Sequence, residues 1–175
     1  MPVLATINGG FYKFFLVLHI LCAIIGFGAV FLNGVYGAQI KARMQSGRVA
    51  EALGIYEANV TVSKIGEYFI YAVFVLGFAL VGLSDSAWKF SQTWIWLSIV
   101  LFVGALGLVH GVVLPTVKRM GVLMREVVAG PAPVGGPPPQ AAELQELGKR
   151  LGAVGPVLDV VVIVILFLMV WKPGG

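Results

Sequence analysis

The sequence predicts an all-α integral membrane protein, a four-transmembrane-helix bundle, and three observations carry that prediction. First, hydrophobic residues make up 59% of the 175 positions and charged residues 11%, with a mean hydropathy of +0.95, which leaves too little polar surface to face water on all sides. Second, four apolar segments stand out, at residues 11–36, 65–83, 94–115 and 155–171. Each can cross roughly 30 Å of hydrocarbon as a helix rising about 1.5 Å per residue. Third, the charges between these segments are uneven. The first connection carries Lys41, Arg43, Arg48 and Lys64, and the third carries Lys118, Arg119, Arg125, Lys149 and Arg150, whereas the second has Lys89 alone.

The positive-inside rule then places the first and third connections in the cytoplasm and both termini outside. Trp88, Trp94, Trp96 and Trp171 fall at the opposite end, as an aromatic belt at the outer interface would. The net charge of +4 reads as a topology signal and not as a nucleic-acid surface, because the basic residues lie in connections with no interleaved aromatics. The whole chain, 1–175, reads as one multi-pass domain whose first partner is the lipid bilayer.

The first segment lacks a basic leader and outruns the apolar core of a signal peptide, so it is expected to remain as a helix. Its one cysteine, Cys22, allows no intrachain disulfide. In the third connection, AGPAPVGGPPPQ over 129–140 predicts a flexible or polyproline spacer. The AAELQELGKRLG that follows sets Leu144, Leu147 and Leu151 on one face and predicts a short amphipathic helix. No phosphate loop, dinucleotide fingerprint, zinc-protease or serine-hydrolase motif occurs.

Ionisable groups inside a membrane helix are costly and usually mark a site. Here they are His19, Glu67, His110 and Asp159. His19 and His110 sit near opposite ends of their segments, about 10–15 Å apart in depth, which opposes a bis-histidine haem. The helical face of His19 carries Cys22, Ala23 and Gly26, small residues that either admit a close helix neighbour or leave room for a flat macrocycle on a ligating imidazole. Asn33, Glu67, His110 and Asp159 collect toward the cytoplasmic side. They suit a divalent cation or a proton relay, or else Glu67 and Asp159 simply mark helix N-termini.

Three stretches carry a resemblance: LHILCAIIGFGAVFLNGVY, WIWLSIVLFVGALGLVHGVVLPTVKRM and ILFLMVWKPGG. Together they resemble bacterial four-helix proteins described as predicted integral membrane proteins and, more distantly, the HemJ-type protoporphyrinogen oxidases and CopD-like membrane domains. The resemblance implies a multi-pass protein of the bacterial plasma membrane, haem b as cofactor, and His19 as the ligand of the haem iron. Ser98 stands where the HemJ type has a lysine, at about the depth of His19, so haem binding is carried over more readily than oxidase activity. Three functions remain open: a membrane haem protein with His19, Cys22, Ala23, Gly26 and Ser98 at the cofactor; a cofactor-free accessory subunit of a homo-oligomer or larger complex; and a cation or proton pathway through the second cluster. The resemblance favours the first.

Overall fold

The computed structural model describes residues 7, 9–131, 136 and 138–174. Four helices account for most of them: α1 Gly10–Gln45, α2 Val49–Gly82, α3 Thr93–Ala129 and α4 Ala141–Trp171, each long and apolar enough to span a membrane. The spacer expected over 129–140 lies partly outside the described residues. All four helices outrun their apolar segments at the basic end of the bundle. The amphipathic stretch expected as a separate short helix is helical, but it is continuous with the last span, and Pro156 is carried inside α4.

Between α1 and α2 the chain reverses in three residues. Ser46 returns its backbone N–H to the Ala42 carbonyl, and Gly47 takes φ +75°, the left-handed turn that closes a helix at low cost only when no Cβ is present. The reversal lays α2 along α1, and glycines set their separation. A Cβ placed on Gly66 would lie 2.5 Å from Cβ of Ala29, and one on Gly26 would lie 2.9 Å from Ile70 Cγ1 and 3.1 Å from the Ile70 backbone nitrogen. This is close helix approach through small residues, the usual means of association where no hydrophobic effect operates. α4 packs on α1 and α3, and the second half of α3 leans on α2 and α4.

α3 is interrupted by a π turn at Val109–Val113, and Pro115 is the cause. Proline has no N–H to donate, and its ring crowds the carbonyl four residues back. The helix absorbs this by widening, so that the Leu114 N–H reaches the Val109 carbonyl five residues away. Thr116, buried, sends its hydroxyl to the Val112 carbonyl at 2.6 Å.

Three cores stack along the bundle. At the basic end Ala52, Tyr56, Met120, Leu123, Met124 and Leu144 pack together. Phe27, Val73, Phe102, Val162 and Ile165 fill the middle, with Phe74 stacked on Phe102 at 4.9 Å. Trp94, Ile95 and Leu168 close the tryptophan end. The outward surface of the spans is apolar, with Ile24, Val75 and Val170 each more than 60% exposed. A face of that kind is stable against lipid and not against water. Around the basic core, Arg119 clasps Glu143 at 2.6 and 3.0 Å and Arg125 meets Glu57 at 3.2 Å. These solvent-side pairs fix which helix faces meet and add little stability of their own.

Candidate functional site

Near the tryptophan end the helices diverge around a cavity of about 590 Å³. Its wall is almost wholly apolar, with Phe27, Phe74, Phe78 and Phe102 among its aromatics, and its few polar groups are His19, Ser98, Tyr12, Trp88, Trp94 and Lys172. A space of this size and lining is typical of small-molecule and cofactor sites.

His19 lies against a glycine on the neighbouring helix. A Cβ on Gly77 of α2 would lie 3.4 Å from the imidazole Cε1 and 3.9 Å from Nδ1, ordinary van der Waals distances, so the ring rests against α2 at that position. Nδ1 is buried without closing a hydrogen bond, although the Val73 carbonyl approaches the ring. Nε2 also has no partner among the described residues, and the ring lines the cavity. Trp94 Nε1 is a second buried nitrogen on the same wall with no partner. Two buried, unpaired polar atoms on an apolar wall are a standing cost that a ligand can relieve.

At the cavity's outer end the Trp88 indole N–H donates to Tyr12 Oη at 3.0 Å, and the Trp88 and Trp94 rings meet edge to face at 5.4 Å. The Lys172 ammonium lies 4.2 Å from the Trp88 centroid, held by a cation–π contact at the mouth. Ser98 lines the cavity, but its hydroxyl is committed to the Trp94 carbonyl at 2.6 Å. Ala23 is on the wall. Cys22 packs instead against the middle core, and Gly26 is used for the contact with α2. One face of α1 thus borders the cavity at His19 and packs tightly on α2 at Gly26.

The second polar group lies toward the basic end. Tyr71 Oη is 2.6 Å from Glu67 Oε1 and 2.8 Å from His110 Nε2, while His110 Nδ1 is 2.9 Å from the Leu106 carbonyl. The side chains of His110 and Glu67 are 46% and 32% exposed, so the chain of bonds runs along the outside of the α2–α3 contact. Asn33 stands apart and accepts a hydrogen bond from Ser63 at 2.9 Å. Asp159 makes no hydrogen bond or ion pair among the described residues. Glu67 and Asp159 both lie deep inside their helices, so neither serves the helix N-terminus as one reading of the sequence expected. Among the described residues, no three His, Cys, Asp or Glu side chains gather to hold a metal ion.

Tyr71 and Lys172 are the functional candidates that the sequence reading passed over. Tyr71 follows Glu67 by four residues and so shares its helix face, a spacing that could have found it. Lys172 was invisible as a cavity residue because only the packing of Trp88 and Trp94 brings it there.

No curated protein and no solved structure matches the chain. One family model does, over residues 13–173, and it is described as a predicted integral membrane protein (DUF2269). With four apolar helices and a match over nearly the whole length, the chain belongs to this family of predicted integral membrane proteins.

Proposed function

We propose that the protein binds haem b in the cavity between α1, α2, α3 and α4, with His19 as an axial ligand. The observation that carries this reading is the position of His19, an imidazole without a hydrogen-bond partner on the wall of a large apolar cavity. The Val73 carbonyl approaches the ring, and a backbone acceptor of that kind can orient a metal-bound histidine. Met169 lines the same cavity from α4 and, like Tyr12 on α1, is of a type that haem iron accepts. Lys172 supplies a positive charge at the mouth, suited to a carboxylate-bearing macrocycle whose body prefers the apolar wall. The bound group would supply one-electron redox chemistry.

The test is a reduced-minus-oxidised absorption spectrum of the purified protein, expressed with adequate haem, beside His19→Ala. The expected result is a b-type Soret and α-band pair in the wild type, lost in the variant. A featureless wild-type spectrum overturns the reading and leaves His19 as a packing residue.

A further inference from the structure

The hydrogen bonds among Glu67, Tyr71 and His110 fix a proton count. The Leu106 carbonyl can only accept, so His110 Nδ1, 2.9 Å from it, carries a hydrogen. Tyr71 has one hydroxyl proton and two short contacts, 2.8 Å to His110 Nε2 and 2.6 Å to Glu67 Oε1. With a neutral imidazole and an ionised carboxylate, both Nε2 and Oε1 are acceptors, and one of the two contacts has no hydrogen in it. One more proton satisfies both, in either of two arrangements. On His110, Nε2–H donates to Tyr71 Oη and Tyr71 donates to the Glu67 carboxylate. On Glu67, the carboxyl donates to Tyr71 Oη and Tyr71 donates to Nε2. The arrangements interconvert by two hops: the Nε2 proton passes to Oη as the Oη proton passes to Oε1. No proton leaves the group, and no other reactant is needed.

We propose that Glu67, Tyr71 and His110 form an intramembrane proton-binding site, in which one proton is shared between the His110 imidazole and the Glu67 carboxylate through the Tyr71 hydroxyl. The π turn of α3 supports the assignment, since it carries His110 and such turns concentrate at functional sites. Release of the proton leaves one contact without a donor and loosens α2 from that turn, so occupancy is linked to the α2–α3 contact. The titratable groups nearest in level on the surrounding helices include Lys64 and Tyr68 on α2, Tyr36 and Lys41 on α1, Lys118 on α3 and Asp159 on α4. None is hydrogen-bonded or ion-paired with the three. The site is separate from the cavity and stands whether or not haem binds there.

The chain has two histidines, so a His19→Ala background leaves His110 as the only imidazole to observe. Nitrogen-15 NMR of that imidazole and the infrared carboxyl stretch of Glu67, followed through a pH titration in lipid nanodiscs, test the proposal. Nδ1 is expected to remain protonated throughout, with His110 and Glu67 titrating at one shared midpoint, each with partial amplitude. In Tyr71→Phe the two midpoints are expected to separate by about one pH unit or more, a tenfold difference in proton affinity. In Glu67→Gln, His110 should carry the full amplitude. Separate midpoints in the parent protein, unchanged coincidence in Tyr71→Phe, or a neutral imidazole protonated on Nε2 alone would each overturn the assignment.

Discussion

Gly66→Ala is expected to destabilise the bundle by about 1–3 kcal/mol, although it replaces glycine with the best helix former. In an unconstrained helix interior the exchange gains roughly 1 kcal/mol. Here the new Cβ would lie 2.5 Å from Cβ of Ala29, and neither atom has a torsion to turn it aside, so α1 and α2 must move apart. The separation would also loosen the neighbouring approach of Gly26 to the Ile70 backbone, which lies on the same seam. Unfolding in graded SDS, followed by tryptophan fluorescence, measures the loss. Adding Ala29→Gly to the variant removes the facing methyl and should recover most of it. A Gly66→Ala protein as stable as the parent would mean that the two helices do not meet at this point.

The second large effect is expected at Gly121. A Cβ there would overlap Tyr56 Oη and lie 2.8 Å from its Cζ and 2.9 Å from its Cε1. An aromatic tip can normally swing away, but this ring is 6% exposed within the basic-end core, and its hydroxyl donates to the Val117 carbonyl at 2.8 Å. Moving it breaks that bond, worth about 0.5–1.5 kcal/mol, on top of an overpacking cost of about 1–3 kcal/mol. Gly121→Ala should therefore lose about 2–4 kcal/mol in the same assay. Tyr56→Phe should lose about 1 kcal/mol alone. In combination the losses should fall short of additive, because the hydroxyl that overlaps most is already gone. Strict additivity would show that the ring and the glycine are not in contact.

The spans were legible because the bilayer imposes one simple demand, a run of apolar residues long enough to cross it. Helix length was not, since the stretches that hold Glu57, Arg125 and Glu143 lie beyond the apolar runs, and hydropathy does not distinguish a polar helix from a loop. Pro115 read as the end of a helix, yet α3 widens into a π turn and continues to Ala129, because tertiary contacts of Met120, Leu123 and Met124 support the helix beyond the break. His19 was legible as an anomaly. Its setting was not, because Gly77, against which the ring rests, is distant in sequence and looks like any other membrane glycine. Asn33 and Asp159 were grouped with Glu67 and His110 by depth alone, and depth does not specify azimuth around a bundle. The structure separates them on that account.

The helices of 31 to 37 residues reach roughly 46–55 Å end to end at about 1.5 Å per residue, well beyond roughly 30 Å of hydrocarbon. The excess is concentrated at the basic end, where the helices carry their own buried centre and a rim of arginine–glutamate pairs. The molecule therefore has two solvents. Its tryptophan half coheres by fit alone among lipid tails, while its basic half stands in water and coheres because water expels Tyr56, Met124 and Leu144. Urea or cold would weaken mainly the cohesion of the second half, whereas a change of acyl chain would bear mainly on the first, so one continuous set of helices answers to two different media.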